Sequence, residues 1–146
     1  MTENTTESYP KIQKPDGSKF NFLVVDDSSF MRKHLIKIIQ NINGNIVGEA
    51  DNGFDAVHKY KELKPDLVTL DITMPNKDGI KTLKEILFYD PNAIVVMVTA
   101  ISHLDMIKTA MEIGAKHYIK KPFKPTDVGY ILSKVLRNYK EVVFIQ

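Results

Sequence analysis

The amino-acid sequence predicts an α/β fold, a three-layer doubly wound sandwich with helices on both faces of one sheet. Two observations predict it. Short apolar runs alternate five times with amphipathic helical patterns from Phe20 onward, and the connections between them are short. Strands joined in this way pair in parallel through right-handed crossovers. At this chain length, 2-1-3-4-5 is the common order of five such strands.

The strand predictions depend on runs that are apolar without alternation, a pattern typical of strands covered on both faces of a parallel sheet. β-branched residues are frequent in these runs, and polar or turn-forming residues follow them. The runs occupy residues 22–25, 46–50, 67–70, 94–98 and 118–119. We therefore expect five short, buried strands.

The helix predictions depend on apolar residues spaced three and four apart, which place one stripe of each helix against the sheet. Ser28 or Ser29 can cap the first helix, while Gly44, Pro65 and Gly114 end the first, second and fourth. The five stripes run through residues 31–42, 56–63, 80–87, 107–111 and 128–136. One helix thus follows each strand, which completes the alternation.

The 146 residues are 43% hydrophobic and 26% charged, which fits a single globular domain with a real core. Residues 1–19 offer too few apolar side chains to offset the entropy of ordering, so we expect a flexible tail, with an arm docked on the domain as the alternative. Residues 20–140 form the expected domain. Residues 141–146 are an apolar C-terminal extension that should pack against the domain, since exposed runs of this kind promote aggregation. A partner-docking edge is the alternative for that extension.

The composition excludes several classes of protein. The chain has no cysteine, so disulfide scaffolds and cysteine-ligated zinc are ruled out. The formal net charge is only +2, too small to indicate a nucleic-acid partner. No apolar run approaches the roughly 20 residues of a membrane-spanning helix, and the polar start lacks the core of a signal peptide. We expect a soluble cytoplasmic protein without membrane insertion.

Polar residues stand at the ends of four predicted strands. Asp26 and Asp27 follow the first strand, Asp71 the third, Thr99 the fourth and Lys121 the fifth. The carboxyl ends of parallel strands meet at one edge of the sheet, and ligand sites in open α/β sheets lie outside that edge. The sequence therefore predicts three carboxylates, a hydroxyl and an ammonium group in one place.

The chemistry of this set points to phosphoryl groups. Carboxylates held together repel one another, so such a cluster usually binds a cation, and hard oxygen ligands favour Mg²⁺ or Mn²⁺. An ammonium and a hydroxyl beside the cation suit a transferring phosphoryl group, and an aspartate can itself be the nucleophile. The chain contains no glycine-rich nucleotide loop, dinucleotide fingerprint or hydrolase elbow. The phosphoryl group must therefore arrive on another donor.

Four motifs of the chain resemble the receiver domains of two-component response regulators. They are Phe-Leu-Val-Val-Asp-Asp at 22–27, Leu-Asp with Met-Pro and Asp-Gly within 70–79, Met-Val-Thr-Ala at 97–100, and Tyr-Ile-Lys-Lys-Pro-Phe at 118–123. The resemblance covers residues 20–139, and it is strongest to the family's single-domain chemotaxis regulators because Ser-Ser-Phe-Met-Arg-Lys follows the acidic pair. It implies a flavodoxin-like fold, a cis peptide before Pro122, and no residues left for a DNA-binding output domain.

The resemblance implies a role for each residue at the predicted edge. Asp71 would be the phosphoacceptor that attacks a phosphohistidine of a partner kinase. Asp27 and Asp71 would ligate Mg²⁺ directly, Asp26 would do so through water, and Thr73 would contribute its main-chain carbonyl. Lys121 would pair with a phosphoryl oxygen.

The resemblance also implies a conformational switch. Thr99 would close its hydroxyl onto a phosphoryl oxygen, and Tyr118 would turn inward into the space that Thr99 vacates. The surface of the fourth helix, fifth strand and fifth helix would then bind a flagellar motor switch protein of the FliM type. The other implied partners are a chemotaxis histidine kinase of the CheA type and a dedicated phosphatase of the CheX, CheC or CheZ type. The chain would be a signalling switch, catalysing only its own phosphotransfer and slow dephosphorylation.

Two positions depart from the pattern of enteric-type regulators. Thr73 stands two residues after Asp71, and Ile101 stands two residues after Thr99. In the family these positions flank the path of the water that hydrolyses the acyl phosphate, and polar or acidic groups are usual there. We hypothesise that Ile101 excludes this water, which would slow self-dephosphorylation and create the need for a dedicated phosphatase.

Two alternative functions share the predicted site. A phosphorelay intermediate receiver would pass the phosphoryl group from Asp71 to a phosphotransfer histidine. A phosphohydrolase of the haloacid-dehalogenase type would also use an aspartate nucleophile, but its Asp-x-Asp pattern needs a carboxylate where Thr73 stands. Structural interpretations also stay open, since an aspartate pair after a strand is most often a helix cap and Tyr118 is compatible with ordinary packing in an outer strand.

Overall fold

The computed structural model describes residues 9–74 and 78–145, apart from the side chain of Ile101. Residues 1–8 of the predicted tail, Gln146, and Pro75 of the predicted Met74-Pro75 loop lie outside this description.

The core of the fold is one parallel sheet of five strands, and two further strands form a small sheet of their own. In chain order the strands are β1 (Lys11–Gln13), β2 (Asn21–Val25), β3 (Asn45–Ala50), β4 (Leu67–Asp71), β5 (Val95–Ala100), β6 (His117–Lys121) and β7 (Val143–Ile145). The central sheet has five strands in the order β3-β2-β4-β5-β6. Counted from β2, this is the predicted order 2-1-3-4-5, so the doubly wound α/β fold is confirmed.

Helices cover both faces of that sheet. They are α1 (Ser29–Asn41), α2 (Gly53–Leu63), α3 (Gly79–Tyr89), α4 (Leu104–Ile113) and α5 (Pro125–Tyr139), with a short 3₁₀ turn at Ile101–His103. Apolar side chains of α1 and α5 pack on one face, and those of α2, α3 and α4 pack on the other. Within the described ranges, no helix has both the length and the apolar character needed to cross a membrane.

Local chemistry explains where the helices begin. Ser28 caps α1 by accepting the N–H of Met31 at 3.2 Å, which decides between the two serines considered from the sequence. Asn52 and Asp78 cap α2 and α3 in the same way. These side chains satisfy N–H groups that have no partner within the helix. Each cap therefore sets the residue at which its helix begins.

Within residues 1–19, predicted as a flexible tail, residues 11–13 are ordered, so the prediction is wrong for this part and the docked-arm alternative agrees with it. Lys11–Gln13 form β1, which pairs antiparallel with β7. Ile12 is fully buried, its N–H donates to the carbonyl of Ile42 at 3.0 Å, and its own carbonyl accepts from the side chain of Asn43 at 3.0 Å. Burial of Ile12, pairing with β7 and hydrogen bonds at the end of α1 together order this segment, although its average composition is polar.

The C-terminal extension lies against the same region. Val142 packs on the core cluster that α1 and α5 share, and β7 follows directly. Val143 and Phe144 remain 39% and 49% exposed. The two ends of the chain thus meet in a small sheet of their own, beside the end of α1 and along α5.

Candidate functional site

The carboxyl ends of four neighbouring strands bring the five predicted residues to one edge of the sheet. Asp26 and Asp27 directly follow β2, Asp71 is the last residue of β4, and Lys121 is the last residue of β6. Thr99 lies one residue before the end of β5, slightly inside the strand that was predicted to end before it. Parallel pairing aligns these strand ends, which is why residues far apart in sequence become neighbours.

The three carboxylates form a compact cluster. Asp26, Asp27 and Asp71 each place one oxygen within 4.8 Å of the others. Asp26 and Asp71 are buried, with 1% and 4% of their surface exposed, whereas Asp27 is exposed. Hard oxygen ligands with one open side suit a divalent cation that keeps some of its water, as Mg²⁺ does. The donor set therefore fits the predicted cation.

Lys121 lies beside this cluster. Its Nζ atom donates to Asp26 Oδ2 at 3.2 Å and lies 3.8 Å from Asp71 Oδ1. The peptide bond between Lys121 and Pro122 is cis. A single ammonium thus faces two buried carboxylates and offsets only part of their charge, which leaves room for a further cation.

The electrostatic surroundings of Asp71 are unusual. Burial raises the pKa of its carboxyl group from 3.8 to about 7, and the negative charge of Asp26 acts in the same direction. Lys121 lowers the pKa, but not enough to cancel these effects. A nucleophilic carboxylate must be deprotonated, and a bound cation would favour that form. The carboxylate predicted to be the nucleophile therefore shares one electrostatic environment with the predicted cation ligands.

The loop that carries Asp26 is held by a residue that the sequence did not point out. Arg32, in the first turn of α1, donates from Nη1 to the main-chain carbonyl of Asp26 at 2.7 Å and from Nε to Glu49 Oε1 at 2.9 Å. Asp26 Oδ1 also accepts the N–H of Ser28 at 2.9 Å. The only signal in the sequence is an arginine one helical turn after the Ser28 cap, which is too common to single out.

Gly79 is a second residue whose role appears only in three dimensions. A β-carbon at this position would lie 2.2 Å from the main-chain carbonyl oxygen of Asp71, so no other residue fits without moving the loop. The N–H of Gly79 donates to the carbonyl of Ile72 at 2.7 Å. The Asp78-Gly79 pair, predicted as a turn, therefore also keeps the start of α3 close to Asp71.

The predicted switch residues, Thr99 and Tyr118, lie in β5 and β6 as expected. Thr99 is buried, and its hydroxyl donates to the carbonyl of Ala100 at 3.2 Å. Tyr118 is half-buried and packs against the core on the α2, α3 and α4 face.

Thr73 is exposed, and its N–H donates to Asp71 Oδ1 at 3.4 Å. Ile101 begins the 3₁₀ turn, and its side chain lies outside the described part of the chain, so the water-exclusion hypothesis stays a prediction.

A groove of about 600 Å³ opens beside β6 and the first turns of α5. Its lining includes Tyr118, Lys120, Phe123, Lys124 and Ile131. The groove therefore lies on the surface where the switch is predicted to act, and it includes the tyrosine that would move.

The chain is similar to known proteins over most of its length. Residues 22–132 match the family described as the response regulator receiver domain. A chemotaxis protein CheY of Thermotoga maritima is 50% identical over 113 residues, which are 77% of this chain and 94% of that protein. A chemotaxis protein CheY of Treponema pallidum is 42% identical over 130 residues, 88% of this chain and 90% of that protein.

A solved structure agrees with these sequence relatives. It is the CheX-CheY-BeF3-Mg²⁺ complex from Borrelia burgdorferi, with a TM-score of 0.78, 40% identity, and coverage of 86% of this chain and 93% of that one. The family match spans most of the foldable sequence, and the relatives are matched over nearly their whole length. The chain therefore belongs to the response regulator receiver domain family and is similar to chemotaxis CheY proteins.

Proposed function

We propose that the chain is a chemotaxis response regulator that accepts a phosphoryl group on Asp71 with Mg²⁺ and then binds a flagellar motor switch protein. The observation that carries this proposal is the position of Asp71. Its buried carboxylate lies at the carboxyl end of β4, with oxygens of Asp26 and Asp27 within 4.8 Å and Lys121 Nζ at 3.8 Å. The similarity to CheY proteins supports the chemotaxis branch.

Each residue of the site has a distinct part in this reaction. A carboxylate oxygen of Asp71 attacks phosphorus, the bond from phosphorus to the kinase's histidine nitrogen breaks, and the departing imidazole keeps the electron pair. Asp26, Asp27, Asp71 and the Thr73 carbonyl would hold Mg²⁺, which when bound supplies positive charge for the phosphoryl oxygens. Lys121 leaves Asp26 to pair with a phosphoryl oxygen, because a phosphoryl group carries more negative charge than one carboxylate.

The signal leaves the site through Thr99 and Tyr118. Thr99 would exchange its hydrogen bond with the Ala100 carbonyl for one to the phosphoryl group, and Tyr118 would turn inward. That change would reshape the groove beside β6 and α5, the proposed surface for a FliM-type motor protein. We place the chain in the cytoplasm, with a CheA-type kinase upstream. The similarity to the CheY of a CheX-CheY complex supports a CheX-type phosphatase.

Phosphorylation by a small phosphodonor tests the core of this proposal. The purified chain should gain the mass of one phosphoryl group from acetyl phosphate or phosphoramidate with Mg²⁺, and EDTA should prevent the gain. Asp71→Asn should show none, whereas Asp66→Asn, an aspartate at the other end of β4, should be phosphorylated normally. Modification of Asp71→Asn would contradict the assignment, and steady hydrolysis of a generic phosphoester would favour the phosphohydrolase alternative.

The branch of the family needs a binding experiment. With beryllofluoride as the phosphoryl mimic, the chain should bind a purified motor switch protein more tightly than without it, and Asp71→Asn should not respond. Reverse transfer of phosphate from the chain to a phosphotransfer domain, without motor binding, would favour the phosphorelay alternative. These two outcomes separate a final output switch from an intermediate.

The lifetime of the phosphorylated chain tests the role of residue 101. Ile101→Glu should shorten it, because a carboxylate there can orient the water that attacks the acyl phosphate. The rate of phosphate release after removal of the donor measures the effect, with Ile101→Leu as an apolar control. An unchanged lifetime in Ile101→Glu would mean that this position does not control the water.

A further inference from the structure

A second concave surface lies at the ends of α2 and α3, away from the phosphorylation site. The groove has a volume of about 580 Å³ and is lined by Lys61, Lys84, Glu85, Phe88 and Tyr89. α3 starts next to the Asp71 carbonyl, and its axis carries Tyr89 about 15 Å away from that start at the rise of an α-helix. The lining of this far-end groove shares no residue with the groove beside β6 and α5.

The far-end groove carries an aromatic ring that the fold does not use. Phe88 is 91% exposed, although burial of a phenylalanine side chain stabilises a protein by roughly 1.5–3 kcal/mol. Ile86, two residues earlier on the same helix, is fully buried, so the helix already has its core-facing stripe. Together with Tyr89, which is 46% exposed, Phe88 gives this groove an aromatic rim, and aromatic residues are enriched in protein interfaces.

The rest of the groove is held rigidly. Tyr89 packs edge to face against Tyr60 with the ring centres 6.4 Å apart, and Lys61 Nζ lies 5.3 Å from the centre of the Tyr89 ring. Tyr60 is itself buried and donates its hydroxyl to Asp90 Oδ2 at 2.7 Å. A preorganised wall loses little conformational entropy when a partner binds. The groove is therefore ready to accept a side chain as it stands.

The charged side chains of the far-end groove indicate which kind of partner it can bind. The charged side chains that line the groove are Lys61, Lys84 and Glu85, and all three are exposed. Two of these three are lysines, so the lining has a local positive excess. Lysine stems can cover apolar groups while the ammonium binds a carboxylate. A second copy of this chain would bring the same lysines together and is disfavoured.

We infer that the far-end groove docks an acidic segment of another protein, with one aliphatic or aromatic residue seated between Phe88 and Tyr89. Carboxylates that flank this anchor pair with Lys61 and Lys84. Because the groove lies at the opposite end of α3 from Asp71, docking does not depend on phosphorylation. The chain can then be held by this partner while the surface beside β6 and α5 stays available for output.

Site-specific photo-crosslinking in cells that natively contain the chain tests this inference. p-Benzoylphenylalanine in place of Phe88 should crosslink to one segment of a partner, and mass spectrometry should show that this segment is rich in Asp and Glu. The double variant Lys61→Glu with Lys84→Glu should reduce the yield about tenfold. Asp71→Asn should leave the yield unchanged, so failure of the phosphorylation proposal would not remove this result.

Matched controls separate docking from general effects. Lys108→Glu with Lys134→Glu, two exposed lysines of α4 and α5, makes the same change in net charge and should keep the crosslink. The same probe at Phe54, which is 64% exposed near the start of α2, should not capture the same segment. The inference is overturned by no crosslink at 88, by crosslinks chiefly to a second copy, by a segment without acidic excess, or by a yield that survives the Lys61 and Lys84 reversal.

Discussion

The two ends of the central sheet each hold an aspartate beside lysine, but the charges that surround the two aspartates differ. At the carboxyl end, Asp71 is crowded by Asp26 and Asp27, with Lys121 as the nearby cation. At the opposite end, Asp66 stands just before β4 and is surrounded by groups of positive or donor character. Asp66 and Asp71 are only five positions apart in the sequence, at opposite ends of β4.

The contacts of Asp66 join the two ends of the chain to the sheet. Its carboxylate lies 3.1 Å from Lys14 Nζ and 3.8 Å from Lys140 Nζ, and it accepts the N–H of Asn21 at 2.7 Å. Lys14 follows β1, and Lys140 ends α5 before β7. We call β1, β7 and these Asp66 contacts the terminal clasp.

The difference between the ends has a physical meaning. The terminal clasp satisfies charge and buries apolar surface, so its groups stabilise the folded chain. The cluster around Asp71 concentrates like charges away from water, which costs stability, and this cost is expected of a site that takes up a cation and a phosphoryl group as proposed. Loss of an aspartate should therefore have opposite consequences at the two ends.

The largest effect should come from the core of the terminal clasp. Ile12→Ala should lower the free energy of unfolding by about 4 kcal/mol, because a fully buried side chain is lost and β1 loses its anchor. Urea unfolding followed by circular dichroism measures the change. Phe144→Ala, at a position that is 49% exposed, should cost about 1 kcal/mol or less. Equal losses in the two variants would mean that β1 is not anchored through Ile12.

Phosphorylation supplies the other half of this test. Ile12→Ala should still gain a phosphoryl group on Asp71 under conditions where it is folded, because the clasp is at the other end of the sheet. A fall in phosphorylation of a fully folded Ile12→Ala sample would mean that the terminal clasp and the Asp71 cluster are energetically coupled.

Ile12 also shows where prediction from sequence stops. The five central strands were predictable because each apolar run identifies itself locally, and the edge with Asp26, Asp27, Asp71 and Lys121 follows from the strand ends. β1 is three residues long, and its partner β7 is at the other end of the chain, so no local pattern indicates it. Its stability comes from tertiary contacts with the end of α1.

The finer features of the site were hidden for a related reason. The Arg32 contact with the Asp26 carbonyl and the close approach of Gly79 to Asp71 depend on loop geometry. The raised pKa of Asp71 depends on its burial and on the distance to Asp26, which sequence does not contain. Sequence thus predicts which groups meet, and the structure adds how strongly they interact.

The next largest change in stability should come from Asp71→Asn at the carboxyl end of the sheet, and this variant should gain stability instead of losing it. The pKa of Asp71 is raised from 3.8 to about 7, so its contribution to stability is present at low pH and is lost as pH rises through this range. That shift corresponds to about 4 kcal/mol, and solvent at the open side of the site screens part of it. Asp71→Asn should therefore be about 3 kcal/mol more stable than the natural chain at pH 8 without metal.

Unfolding of both chains from pH 4 to 8 in EDTA measures this difference, which should grow with pH. Mg²⁺ should then stabilise the natural chain and leave Asp71→Asn nearly unchanged, since a bound cation stabilises the state that holds it. If the free energies of unfolding of the two chains were equal at pH 8, the charged form of Asp71 would not be destabilised by its neighbours.

The smallest effect should be at Asp66. Asp66→Asn keeps an oxygen that can accept the N–H of Asn21 but loses the charge that attracts Lys14 and Lys140. Those lysine side chains are 30% and 40% exposed, so we expect a loss of only about 1 kcal/mol, smaller still in high salt. Urea unfolding at low and high salt measures it, and Lys14→Ala with Lys140→Ala should remove most of the salt dependence. The sign of the change in the free energy of unfolding distinguishes the two ends of the sheet. If Asp66→Asn were more stable than the natural chain, the charged carboxylate of Asp66, like that of Asp71, would destabilise the fold.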